Sequence, residues 1–432
     1  MLVRDDINYL KPPAAASGQA DLEVSRRVEA MLADIEAGGV EAVRRWSRDL
    51  DGWDPPSFLV TKEDFERAAA SLDPDLKRHI AVAQSQVRQF AEAQRETLSD
   101  LRIETLPGVT LGHRHVPVGS VGAYVPGGRY PMLASSFMTI VVAKAAGVER
   151  VIAVAPPQRD GGIHPAMLYA MWTSGADAVA AIGGVQALAA LAFGLVDDEL
   201  PPVDMLVGAG NAYVAEAKRQ LFGRVGIDLL AGPTEVLVVA DETADPRLVA
   251  ADVLGQAEHG PTSVAGVIAI GAGVAQAVDD QIGELLEDWP TADVAGGSWR
   301  EHGWIAVVAD DDEAIALANE DANEHLEVHV DEDKLPMYLE RLRNYGSLFL
   351  GDQATVAYGD KGIGTNHVLP TSRAARYTGG LWVGKFLKTV TWQRLTDEGT
   401  AAIAPTIEAI CSAENMLGHG RTATMRRERL HA

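Results

Sequence analysis

The 432-residue chain contains one cysteine, Cys411. A single thiol excludes an internal disulfide framework and any zinc site built from several cysteines. No apolar stretch is expected to cross a membrane: fragments such as "VVAKAAGV" are well short of the roughly 18–20 residues a span needs. The opening "MLVRDDINYLKPPAAA" contains no apolar core of a secretory signal, so the sequence reads as cytoplasmic. Positive charge is scarce as well: 37 Lys and Arg against 61 Asp and Glu leave a formal charge of −24. Such a surface repels nucleic acid and anionic membranes, and neither is expected as a partner.

What is present belongs to a globular protein. Hydrophobic residues make up 47% and charged residues 23%, and the length accommodates two or more lobes. Residues 1–22, which include "KPPAAASGQA", read as an arm that must lie on something else. Two amphipathic helical stretches follow, "DLEVSRRVEAMLADIEAGG" and "TKEDFERAAASLDPDLKRHIAVAQSQVRQFAEAQRE". From about 120 to 240, short apolar runs such as "RVIAVAPP" and "VDMLVGAG" alternate with helical segments, the pattern of a parallel sheet covered by helices. Residues 234–375 repeat the style with "EVLVVAD", "SVAGVIAIG", "WIAVVAD" and "EVHV". The expected architecture is α/β with two lobes. One comprises 23–120 and 233–375, the other 121–232, and 376–432 form a helical C-terminal arm.

Several motifs carry polar chemistry. "AIGAGVAQAV" imitates half of a dinucleotide fingerprint, but Gln276 stands where the third glycine should be, so a tight turn is the better reading. "VGAYVPGGRYPM" ends a strand in Pro126-Gly127-Gly128, at the sheet edge where ligands bind in open α/β folds. "VGAGNAYV" presents the Asn211 amide after a similar bend. In "GQAEHGP", Gln256 and His259 are three apart and share one helix face. "YGDKGIGTNHVLP" gathers Asp360, Asn366 and His367 in a glycine-punctuated loop, and "AENMLGHG" sets Glu414 near His419. Asp, His and Gln offer oxygen and nitrogen ligands suited to zinc. Finally, "ANEHLEVHV" joins a helix to a strand. Adjacent helical residues point about 100° apart, so Glu324 and His325 can address one substrate only from an irregular turn. Leu326, Val328 and Val330 alternate with Glu327 and His329, which places the latter two on the outer face of the strand.

Together these stretches resemble the histidinol dehydrogenase family across nearly the whole chain. The resemblance is carried by "VGAYVPGG", "IGGVQALAALAFG", "GAGNAYVAEAKR", "IDLLAGPTEVLVVAD", "GQAEHGP", "NEHLEV", "GTNHVLPT" and the closing "AEN…GH". It implies two incomplete Rossmann-like lobes in an intertwined homodimer that holds zinc and uses two NAD molecules to oxidise a primary alcohol to a carboxylate. On that resemblance Gln256, His259, Asp360 and His419 are the zinc ligands, with His419 supplied by the partner through an exchanged C-terminal arm. Glu324 and His325 are the catalytic pair. Thr234, His367 and Glu414 contact substrate, and Tyr124, Gln186 and Asn211 contact NAD.

The chemistry suits the residues. An imidazole of ordinary pKa near 6.5 can take the alcohol proton. Aldehyde oxidation often uses a thiolate, but Cys411 lies in an apolar helical run, so water activated by Glu324 is the expected nucleophile. Four features depart from the histidine-biosynthetic members: Asn323 before the catalytic pair, Thr234 in place of serine, Arg129 and Tyr130 after the glycines, and the stretch 377–393. These look more like a paralogous branch that converts 2,3-dihydroxypropane-1-sulfonate to sulfolactate. A sulfonate is a permanent anion and calls for cationic donors, for which Arg129 and Arg376 are the candidates. The alternatives are histidinol itself as substrate, or an inactive metal-binding homologue.

Overall fold

A computed structural model describes residues 7–14, 19–128, 130–158, 161–197 and 200–430. Two parallel sheets organise it. The larger has six strands in the order Asn8–Lys11, Trp304–Val308, Val264–Ile270, Glu235–Ala240, His325–His329 and Ser347–Leu350. All its pairings are parallel except that of Asn8–Lys11, which adds antiparallel at one edge. Residues 8–11 of the N-terminal segment thus lie on that sheet. The smaller sheet has five parallel strands, ordered Ala178–Ala181, Arg150–Ala155, Ser120–Tyr124, Met205–Val207 and Gly226–Ile227. A third, antiparallel sheet orders Leu387–Leu395, Val109–Pro117 and Leu101–Leu106. Helices cover both faces of the parallel sheets, which is why their strands read as continuous apolar runs.

Local signals place the elements that matter. Helix Pro246–Ala257 starts where Asp245 caps the Arg247 N–H, with proline at the first helical position. The short helix Val356–Lys361 begins at Thr355 and stops at Gly362, whose φ is 139°. A Cβ on Gly362 would lie 2.4 Å from that of Ala83, so only glycine turns the chain there. Helix Asp311–Asp321 ends on Ala322 in the left-handed conformation, and the chain enters the His325–His329 strand three residues later.

Two boundaries differ from the sequence expectation. Residues 23–96 were grouped with 233–375, yet they pack on the smaller sheet. Val28, Met31 and Ile35 of helix Gln19–Asp51 share a core with Ile152, Val154 and Leu188. Val87 and Ala91 of helix Pro74–Glu96 join the core of Phe137 and Val141. Amphipathic periodicity identifies a buried helix face but not the sheet it buries against. The C-terminal segment is also not wholly helical: Leu387–Leu395 pairs along its full length with Val109–Pro117 before helices Asp397–Ala413 and Leu417–Arg429 pack on each other.

The smaller lobe is pinned by a buried ion pair. Lys218 bonds Asp228 and also the Gly208 carbonyl, at 2.9 Å, while Asp228 accepts the Gly208 N–H at 2.8 Å. Gly208 itself has φ 115°, and a Cβ there would sit 2.1 Å from the Tyr124 carbonyl oxygen. Removing one partner of a buried pair strands the other charge. Lys218→Met should therefore cost about 3–5 kcal/mol in denaturant unfolding, and adding Asp228→Leu should recover part of that loss.

Candidate active site

Thr234 and Glu235 begin one central strand of the larger sheet, and Glu324 directly precedes its neighbour. The Thr234 hydroxyl donates to Glu324 Oε2 at 2.6 Å, and the Glu235 N–H donates to the same oxygen at 2.8 Å. Thr234 Oγ1 also accepts from the Gln256 amide. Thus Thr234 links Gln256 to Glu324. His325 is the first residue of the strand proper, and its Nδ1 lies 2.9 Å from the Glu235 carbonyl. A carbonyl only accepts, so Nδ1 carries the proton and Nε2 is left available. Nε2 has no hydrogen-bond partner among the described residues and lies 3.5 Å from Asp360 Oδ1.

Asp360 closes the opposite side. Its Oδ2 is 3.7 Å from His259 Nε2, and His259 Nδ1 lies 3.2 Å from the Gln256 carbonyl. His367 spans the Asp360 carbonyl and the Ser135 hydroxyl, at 2.9 Å each. Burial opposes ionisation of Asp360, but the imidazoles of His259 and His325 overcome it and hold the carboxyl well below its usual range. Burial likewise opposes charge on His325, and Glu324 with Asp360 outweigh it, raising the pKa well above the ordinary value. Burial keeps His367 neutral by pushing its pKa down. A cleft of about 760 Å³ opens onto Gln256, His259 and Asp360 from one lobe and Tyr130, Met132 and Leu133 from the other.

The sequence-derived candidates divide accordingly. Gln256, His259, Asp360, Thr234, Glu324, His325 and His367 converge. Tyr124, Gln186 and Asn211 lie on the smaller lobe: the Tyr124 hydroxyl accepts the Gly184 N–H, Gln186 donates to Asp51, and Asn211 caps helix Ala212–Leu221. Glu414 and His419 are exposed on the C-terminal helices and do not line the cleft. Arg376 is exposed, bonds the Arg373 carbonyl and does not line the cleft either; Arg129 lies outside the described residues. The Asn323 amide donates to Asp321 Oδ2 at 3.2 Å.

The expectation for Glu327 and His329 is corrected. Both are fully buried, because their strand is internal to the sheet and this face lies under helix Pro246–Ala257. Alternation of polar and apolar residues signals two different faces, and here neither face is solvent. Burial and the charge of Glu327 push the facing Asp252 up to about 7. A second residue escaped the sequence reading: Lys361, adjacent to Asp360 in "GDKG". It is the one cation lining the cleft among the described residues.

Comparison with known proteins identifies the family to which this chain is similar. A family model described as Histidinol dehydrogenase matches residues 15–427. A "Histidinol dehydrogenase homolog" of Shouchella clausii is 51% identical over 98% of this chain and 99% of its own. A "Sulfopropanediol 3-dehydrogenase" of Ruegeria pomeroyi is 45% identical over 97% of this chain and 96% of its own. The crystal structure of a histidinol dehydrogenase from Elizabethkingia anophelis superposes with a TM-score of 0.90 at 30% identity, covering 97% of this chain and 95% of that one.

Glu235 provides a test of the site's electrostatics. Burial raises its carboxyl to about 7, from an ordinary value of about 4.5, while Oε1 accepts the Ser372 N–H. A raised acid pKa favours folding fully below about 4.5 and loses that contribution as pH climbs through about 7. Glu235→Gln keeps the acceptor and removes the charge. Thermal unfolding at pH 8 should show it more stable than the parent, by up to roughly 3 kcal/mol, with the gap closing near pH 5.

Proposed function

The chain belongs to the histidinol dehydrogenase family of oxidoreductases, and we propose that it oxidises 2,3-dihydroxypropane-1-sulfonate to 3-sulfolactate, using zinc and two NAD. The observation that carries this reading is the convergence of Gln256, His259 and Asp360 beside the Glu324–His325 pair. One carboxylate, one imidazole and one amide oxygen make a donor set that suits zinc, with the Gln256 N–H group already engaged by Thr234. In this reading His419 of the partner subunit completes the set, and Glu414 of the partner subunit meets the substrate. Support comes from the C-terminal hairpin and the antiparallel sheet, which expose apolar side chains including Leu101, Ile103, Trp392, Ile410 and Leu417. Such a surface on one copy calls for a cover.

The NAD assignment rests on the carboxyl ends of the smaller parallel sheet, the ligand-binding edge of open α/β folds. Tyr124 ends a strand there, and Gln186 keeps a buried amide oxygen with no hydrogen-bond partner among the described residues. No complete glycine-rich fingerprint is required for this mode.

Bound zinc supplies Lewis acidity that favours alkoxide over alcohol, and NAD supplies the hydride acceptor. The remaining steps fall to the chain's own residues. With Asp360 engaged by a cation, His325 loses one of two anions that favour its protonation, and Nε2 can accept the alcohol proton. The Nδ1–H bond to the Glu235 carbonyl holds the ring in that tautomer. Glu324 Oε2 is saturated by Thr234 and Glu235, which leaves Oε1 to take a proton from the water that attacks the aldehyde. The hydrate then gives up the second hydride. The balance is one alcohol, one water and two NAD to one carboxylate, two NADH and three protons. Lys361, 3.8 Å from Asp360, is assigned to the sulfonate in this reading in place of Arg376, which does not line the cleft.

Zinc-loaded protein incubated with NAD should yield two NADH per 2,3-dihydroxypropane-1-sulfonate. Two NADH per histidinol, with none from the sulfonate, would overturn the substrate, and none from either would indicate an inactive homologue. Lys361→Gln should raise KM for the sulfonate about tenfold, the weight of one charge-assisted contact, with a smaller change in kcat; equal KM values would remove Lys361 from the binding site.

A further inference from the structure

We propose that Asp252, Glu327 and His329 form a second divalent-cation site, separate from the Gln256–His259–Asp360 set. Asp252 sits four residues before Gln256 on helix Pro246–Ala257, about 6 Å along the axis. Glu327 and His329 continue the face of the strand that begins with His325. The ligand atoms of the three side chains all lie within 4.8 Å of one another.

Three features point to an ion and not to a set of internal hydrogen bonds. First, His329 Nε2 is 3.6 Å from Asp252 Oδ2 and 3.5 Å from Glu327 Oε2. Those spacings are long for hydrogen bonds. They are close to the roughly 3.4 Å that separates two ligands placed about 2.1 Å from a tetrahedral ion. Second, Glu327 Oε2 and both ring nitrogens of His329 are buried without a hydrogen-bond partner among the described residues, while Glu327 is 0% and His329 2% exposed. Buried polar atoms in native structures rarely go unmatched. Third, the outer oxygens of both carboxylates are already fixed. Glu327 Oε1 accepts the Val356 N–H at 2.9 Å, and Asp252 Oδ1 accepts the Thr355 hydroxyl at 2.8 Å. Outer contacts of this kind orient metal ligands.

Two carboxylates and a neutral imidazole balance a dication and suit zinc or manganese. Asp252 also lines the cleft, which provides a route of entry. An ion at this position ties the helix carrying Gln256 to the strand carrying His325.

The test counts metal in the full-length protein after chelator stripping, reloading with excess zinc and gel filtration. Wild type should hold two zinc per chain by mass spectrometry of the elements. Asp252→Asn, Glu327→Gln and His329→Asn should each hold one fewer, and so should His259→Ala, with the H259A/D252N double variant holding none. An unchanged count in folded triad variants would overturn the second site. A wild-type count of one that H259A abolishes would do the same without any triad variant. Asp252 is partly exposed, so D252N, verified by circular dichroism, decides the matter if the fully buried substitutions unfold. The H259A count tests the first site separately.

Discussion

The position of one strand inside the larger sheet governs the chemistry of this protein. His325–His329 pairs on both sides, His325 with Val236 and with Ser347. With both edges locked, register cannot slip, and a period of two sends His325, Glu327 and His329 to one face. Leu326 and Val328 go to the other, into a core with Leu237 and Leu317. The polar face then has no solvent to turn to. It meets helix Pro246–Ala257 and the short helix Val356–Lys361, whose Gln256, Asp252 and Asp360 are the groups that can receive it. Burying so much ionisable surface is costly unless every charge finds an opposite or a donor. The pairing of these elements is therefore a condition for the sheet to form as well as for catalysis.

Within that face the Glu324 carboxylate is the fixed point. It is 6% exposed, and its Oε2 takes a hydroxyl and a backbone N–H from the neighbouring strand. Because Thr234 is also bonded to Gln256, displacement of any one of the three disturbs the other two. A serine in this position would supply the same hydroxyl. The extra methyl of threonine restricts χ1 and so narrows the directions in which the hydroxyl can serve both partners.

Much of this was legible in the residues, and the failures have physical causes. The alternation of apolar runs and helices identified two parallel α/β lobes, and the strands Glu235–Ala240, Val264–Ile270 and Trp304–Val308 fell where periodicity placed them. The convergence of Gln256, His259 and Asp360 followed from a family resemblance, because no local spacing connects residues a hundred positions apart. Glu327 and His329 were misplaced since alternation does not distinguish water from a polar interior. The apolar stripe of helix Gln19–Asp51, Val28, Met31 and Ile35, identifies a buried face, but its spacing does not say which sheet that face meets, and it packs on the smaller one. Lys361 went unnoticed beside Asp360, where its charge reads as an ordinary exposed residue.

Charge provides the last constraint. A chain with a formal charge of −24 repels an anionic substrate at a distance. Mobile ions screen that repulsion beyond about 8–10 Å at physiological salt, so selection of an anion has to occur locally. Within the cleft the acidic side chains are Asp252, Glu258 and Asp360, and Lys361 is the only permanent cation among the described lining residues. Protein groups alone therefore leave the cleft negative. A sulfonate-bearing alcohol becomes a reasonable ligand only if cations occupy the carboxylate-rich end, leaving Lys361 free to face the sulfonate. Metal loading and substrate charge are then one electrostatic problem, and the same acidic residues that would exclude an anion from the bare cleft are those that admit it once they are neutralised.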